Sequence, residues 1–161
     1  MADSVLPGVN VNYCTLAQVR QYLEFEDDNT SKDALLEEFI EDASREIDRY
    51  CNRHFYGLYE TRYYHAYYDH GKRRRAKTRW LDDDLLSAET VINGDSTVIA
   101  ATDYELLPYN EDQKYAVELK TSSSVSWTWS NAPERAISVT GTWGYSAGTT
   151  PIKNIQRLTV R

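Results

Sequence analysis

Between Leu35 and Cys51 apolar residues recur at helical spacing for about four turns: Leu35, Leu36, Phe39, Ile40, Ala43, Ile47, Tyr50 and Cys51. A stripe of this length predicts an amphipathic helix, and such a helix needs another surface to cover it. Glu37, Glu38, Glu41, Asp42, Arg45, Glu46, Asp48 and Arg49 fill the remaining face. Asp42 and Glu46 repel, while Glu41 and Arg45 attract, so this face reads as solvated. Thr30 or Ser31 is the expected cap at its start, and Asn52 its end.

A shorter helix precedes it. Thr15-x-x-Gln18 has the form of a capping box, in which each side chain satisfies a free N–H of the first turn. Leu16, Val19, Tyr22 and Leu23 form its apolar line, and Glu26-Asp27-Asp28-Asn29 is the polar turn that follows. Residues 1–14 read as an extended arm, with Pro7 and Gly8 and no helical period.

After Phe55 the pattern changes. Tyr56 to Tyr68 is rich in aromatics with strand propensity. Thr90 to Ile99 carries Asn93-Gly94, a hairpin signal, because that pair accepts the positive φ of a tight turn. Tyr104–Leu107, Tyr115–Leu119 and Ala136–Trp143 read as strands. So does the alternation of Val125, Trp127 and Trp129 with Ser and Thr. Pro151 then sits where a first helical residue is favoured, with Ile152, Ile155, Leu158 and Thr159 behind it.

The expected fold is therefore α+β: one domain over residues 1–161, made of a small helical bundle with a β-rich insertion. Its parts are an arm (1–14), two helices (15–55), the insertion (56–145) and a C-terminal helix (150–161) that packs back on the first two. That last helix reaches Arg161 without a cap, which leads us to expect that the natural chain continues or that its end docks on a partner.

Charge is uneven. The net charge is −7, yet Lys72, Arg73, Arg74, Arg75, Lys77 and Arg79 fall within eight residues that contain no acid. The rest of the chain holds 12 cations against 25 acids. An acidic body with one basic segment is unlike a general nucleic-acid binder, whose basic surface dominates. The segment can be a solvated loop, a contact for an acidic protein surface, or a contact for DNA. Of the aromatics, 13 are Tyr, which suit a surface that is wet alone and covered on association.

Chemistry is poorly supplied. His54, His65 and His70 form no metal-spaced set, and Asp69-His70 reads as a turn. Asp82, Asp83 and Asp84 are adjacent, so they cannot all point at one cation and read as an acidic loop. Gly141-x-x-Gly144 lacks the lysine and helix of a phosphate loop. Cys14 and Cys51 read as free, buried thiols. No catalytic residue, metal or cofactor is expected. No apolar run approaches a membrane span, and the N-terminus carries no basic, apolar secretory leader.

The order of these pieces resembles a known family. Thr15-Leu16-x-x-Val19-x-x-Tyr22-Leu23, an acidic turn, then Asp33-Ala34-Leu35-Leu36-x-x-Phe39-Ile40-x-x-Ala43-x-x-x-Ile47-x-x-Tyr50-Cys51-Asn52-Arg53-His54-Phe55 is similar to the opening of the head–tail connector (adaptor) proteins of long-tailed phages. Thr90-Val91-x-x-Gly94, Asp103-Tyr104-Glu105-Leu106 and Ile137-x-Val139-Thr140-Gly141-x-x-Gly144-Tyr145 continue the likeness. The resemblance implies a non-enzymatic virion protein of the neck, assembled in the host cytoplasm. It implies a homo-oligomeric ring, typically twelve-fold, beneath the portal, with a stopper or tail-completion protein on its other side and packaged DNA passing through the lumen. Candidate subunit or portal contacts are Lys72, Arg73, Arg74, Arg75, Lys77, Arg79, Asp82, Asp83 and Asp84, with Ile152, Ile155, Leu158 and Arg161 as a portal-docking helix. The rival reading is a nucleic-acid-binding protein that uses the 72–79 segment, with the neighbouring tyrosines as stacking platforms.

Overall fold

The computed structural model describes residues 4–5, 11–25, 30–66, 77–146, 155–156 and 159. In chain order the elements are β1 (Ser4–Val5), α1 (Leu16–Tyr22), α2 (Asp33–Cys51), β2 (Leu58–Tyr64), β3 (Thr78–Ile92), β4 (Val98–Ile99), β5 (Tyr104–Leu107), β6 (Lys114–Leu119) and β7 (Ile137–Trp143). The strands make one antiparallel sheet in the order β1-β2-β7-β3-β6-β5, and β4 pairs with the end of β3.

The expected helical bundle with a β insertion does not form. Among the described residues there are two helices, and the sheet is the body of the fold. The reason lies in what the helices can bury. α1 buries no residue, and α2 buries only Leu36, Ile40, Ser44 and Asp48. The main core belongs to the strands: Tyr64, Leu85, Val91, Ile99, Tyr104, Val117, Leu119, Ile137, Val139 and Trp143 pack together, with Trp127 against them. Of the expected helix over 150–161, Ile155, Gln156 and Thr159 have helical backbone, and the other residues lie outside those described.

β3 organises the sheet. Its 15 residues bend where the pairing with β6 jumps from Trp80↔Ala116 to Leu85↔Lys114. The earlier half pairs with β6 and the later half with β7 and β4. Two further irregularities in the β7 ladder fall at Leu85/Ser87 and Ala88/Thr90. Gly141 lies opposite Ala88, and a Cβ there would stand 2.0 Å from the Ser87 carbonyl oxygen, so only glycine lets the strands meet. Gly144 has φ +123°, a left-handed conformation that favours glycine, as β7 turns away.

The capping box at Thr15 and Gln18 is formed, and Asn52 ends α2 in the left-handed region. α2 begins after Lys32, however, with no side-chain cap from Thr30 or Ser31. The hairpin at Asn93-Gly94 is present, but its positive φ falls on Ser96. Asn93 works as a hydrogen-bond hub, donating to the Ser126 carbonyl at 2.8 Å and accepting from Thr128 N–H at 2.9 Å. Gly94 is needed because residues 128–129 cross it; a Cβ would lie 2.3 Å from the Thr128 carbonyl oxygen. Val125 to Trp129 forms no strand; a single parallel bridge joins Trp129 to Gly94. Its carbonyl partners are used by Asn93 and its Trp127 ring faces the core, which fixes the segment without a ladder.

Candidate assembly interface

The helical pair is tied to the sheet by polar groups that the sequence hides. Leu36, Ile40, Ser44 and Asp48 follow one another at four-residue steps on the buried face of α2. Ser44 donates to the Ile40 carbonyl at 2.7 Å and accepts from the Tyr13 N–H at 3.0 Å. The Tyr13 hydroxyl donates to the Asp48 carboxylate and accepts from the Phe55 N–H at 3.1 Å. Arg45 lies 3.2 Å from Asp48, donates to the Tyr56 hydroxyl at 2.7 Å, and also bonds the Val11 carbonyl. His54 approaches the same carboxylate at 3.6 Å. Around this hub Tyr13, Tyr56 and Leu58 form a second core, joined by Val11, Ile47, Phe55 and Ile155. The arm, α2 and the residues leading into β2 therefore converge on one buried aspartate, and Ile155 packs against the core beside it.

The hub's electrostatics follow from burial. Burial, then the bond to Asp48, pushes the Tyr13 hydroxyl far above the ordinary tyrosine range. The nearby Asp48 carboxylate raises His54, against the opposing effect of its partial burial. Asp48 and Arg45, expected on the solvated face of α2, are instead buried and half-buried. The available signal was a polar residue on the Leu36–Ile40–Ser44 line.

The acidic triplet is not a loop. Asp82, Asp83 and Asp84 lie within β3, at its bend. Arg62 bonds Asp83 at 3.3 Å and also pairs with Glu60, with its guanidinium 4.4 Å from the centre of the Trp143 ring. Arg53 stands 3.5 Å from Asp84, and the Asp84 carbonyl accepts from Gly144 N–H at 2.7 Å. Burial raises the Asp84 carboxyl, and Arg53 opposes the rise. Asp82 is exposed.

The basic segment divides in two. Lys77 donates to the Lys120 and Ser123 carbonyls at 2.9 and 3.1 Å. Arg79 donates to the Ala66 carbonyl at 2.7 Å and lies 5.3 Å from the Trp127 ring centre. Both serve the fold. Lys72, Arg73, Arg74 and Arg75 lie outside the described residues, as do Asp69, His70, Ile152, Leu158 and Arg161. Because Arg79 donates to Ala66, the residue two past the end of β2 is held against the start of β3.

The outer surface of the helices is apolar and acidic together. Leu35, Phe39 and Tyr50, expected in the core, are exposed, and so is Cys51; Cys14 is buried. An open cleft of about 520 Å³ lies between α2 and the residues that open α1, with buried Cys14 and Ile40 and the exposed Glu37, Glu38 and Glu41 in its lining. Among the described residues no group of His, Cys, Asp or Glu could hold a metal ion, and no helix is long and apolar enough to cross a membrane. The arrangement offers surfaces for association.

Residues 13–88 match the family described as phage gp6-like head–tail connector protein. The match spans α1, the hub, β2 and β3 as far as Ala88. It bears out the resemblance read from the sequence. No curated protein matches the chain. Among solved structures, a chain from the neck of an empty GTA particle, computed with C6 symmetry, shares the fold with a TM-score of 0.58. That likeness covers 99% of this chain and 82% of the other at 14% identity.

Proposed function

We infer that this chain, similar to the phage gp6-like head–tail connector proteins, is a structural subunit of a virion neck that works as one member of a ring. The observation that carries the reading is the family match over residues 13–88, which contains the helical pair and the Tyr13–Asp48 bond that anchors it. The full-length fold likeness to a neck protein supports it. The ring joins the portal vertex of the head to the tail or stopper and extends the channel through which DNA passes. It does no bond chemistry. The neck with the similar chain was computed with C6 symmetry, and rings of six or twelve copies both obey that symmetry.

In a ring each subunit meets its neighbours through two different complementary faces. We assign Lys72, Arg73, Arg74 and Arg75 to one of them. The C-terminal segment is rooted by Ile155 in the second core. Ile152, Leu158 and Arg161 are then the residues through which it meets the portal. The acidic body, at −13 outside residues 72–79, suits a channel wall along which DNA slides without sticking.

Nucleic-acid binding through the basic segment is the second reading. It is weakened by Lys77 and Arg79, which donate to backbone carbonyls of the fold. Native mass spectrometry of the purified protein, alone and mixed with portal, separates the two. A ring, or a monomer that assembles on portal, supports the connector reading. A monomer that ignores portal and binds DNA with strong salt dependence supports the other.

A further inference from the structure

The exposed face of α2 carries two properties at once. Leu35 and Phe39 are 47% and 56% exposed, and at the adjoining end of α1 Tyr22 and Leu23 are 60% and 43% exposed. Arg20 Nη1, 2.7 and 2.9 Å from the two carboxylate oxygens of Asp33, holds the end of α1 beside the start of α2, so these four residues lie at one end of the helical pair. Glu38, Asp42 and Glu46 share the α2 face with Leu35 and Phe39, at helical steps of three and four. Glu38 and Asp42 pair with no cation among the described residues. Large exposed apolar groups flanked by acids are the pattern of an association surface.

One segment of this chain has the matching composition. Residues 67–75 read Tyr67-Tyr68-Asp69-His70-Gly71-Lys72-Arg73-Arg74-Arg75: two aromatics, then four consecutive cations. Its ends are fixed where Arg79 grips Ala66. Within the triplet Asp82–Asp84, Asp83 and Asp84 already face Arg62 and Arg53, which leaves the α2 acids as the better counter-charge.

We propose that the Tyr67–Arg75 segment of one copy docks on the α1/α2 face of the next, with its cations on Glu38 and Asp42 and its tyrosines over Leu35 and Phe39. This rests on the ring reading above and names its contact. The two surfaces differ and both lie on every copy, so the contact repeats head to tail and can close a ring. Charge complementarity between them would speed assembly and make it salt-sensitive.

The test is disulfide trapping in a Cys51→Ser background, with Cys14 left in place because it is buried. Under mild oxidation the double variant Glu38→Cys, Arg74→Cys gives a ladder of covalent multimers on a denaturing gel. A mixture of the two single variants gives linked dimers and no ladder. A second readout is charge exchange: Glu38→Arg with Asp42→Arg abolishes rings in native mass spectra, and adding Arg73→Glu with Arg74→Glu restores them. If wild-type protein forms rings but the double-cysteine variant stays unlinked, this contact is wrong and the ring reading survives. If wild-type protein stays monomeric with and without portal, the ring reading falls and the contact with it.

Discussion

Tyr13 and Asp48 are joined by a hydrogen bond across 35 residues of sequence, and through it the arm before α1 is fastened to the buried face of α2. The same hydroxyl accepts the Phe55 N–H, so one phenol oxygen serves both an acid and a backbone donor. Tyr13→Phe keeps the ring but leaves Phe55 N–H and one oxygen of Asp48 unpaired in a buried place. We expect a loss of about 1–3 kcal/mol in urea unfolding. An unchanged midpoint would show that water replaces the hydroxyl at no cost.

His54 makes the hub depend on pH. Its folded pKa is raised, chiefly by the Asp48 carboxylate 3.6 Å away, with Asp83 adding to the rise and Arg45 opposing it. The unfolded chain titrates near the ordinary histidine value of about 6.5. The stability it contributes is therefore full below that value and is lost as pH rises through the higher folded pKa. Urea midpoints measured from pH 6 upward, on the order of one unit per step, should fall across that window. His54→Asn should flatten the fall; an equal slope in the variant would assign the effect to another group.

Arg62 is the partner of Glu60 and Asp83 and the cover of Trp143. Its removal leaves two carboxylates in half-buried positions without their cation. Arg62→Ala should cost about 3 kcal/mol, and Arg62→Lys a smaller part of it, since an ammonium cannot bridge both acids and stack on the ring. Thermal unfolding followed by tryptophan fluorescence measures both.

Gly141→Ala places a methyl against the Ser87 carbonyl and 3.1 Å from the Ala88 Cα, both backbone. No rotamer relieves such a contact. The expected result is a loss of about 3 kcal/mol or more, seen as insoluble protein or a large fall in urea midpoint. Thr15→Ala is the mild comparison: it breaks the capping box of an exposed short helix and should cost about 1 kcal/mol.

What the sequence showed most clearly was local chemistry. The box at Thr15, the end of α2 at Asn52 and the strand over Tyr104–Leu107 each depend on neighbouring residues and form where expected, and the strand expected over Ala136–Trp143 forms from Ile137. Burial of α2 was half legible. Leu35 and Phe39 share the helical period with Leu36 and Ile40, and only the tertiary partner decides which line faces inward. Asp48 escaped because a charged residue beside Arg45 and Arg49 looks solvated until Tyr13, from another part of the chain, arrives beside it. The dominance of the sheet escaped for a similar reason. The bend of β3 across Leu81–Asp84 reads as an acidic break, yet the strand continues through it and joins two sets of partners.

The position of β7 has a mechanical consequence. It is hydrogen-bonded to β2 from Ile137 to Trp143 and to β3 from Ser138 to Trp143, antiparallel on both edges. A pull along this strand loads both ladders in shear, so many bonds must yield together. A pull at right angles on β1 or β5, each paired on one side, opens bonds one after another like a zip. The molecule is thus stiff along one axis and yielding across it, and single-molecule extension with handles at the ends of β7 would register the higher rupture force.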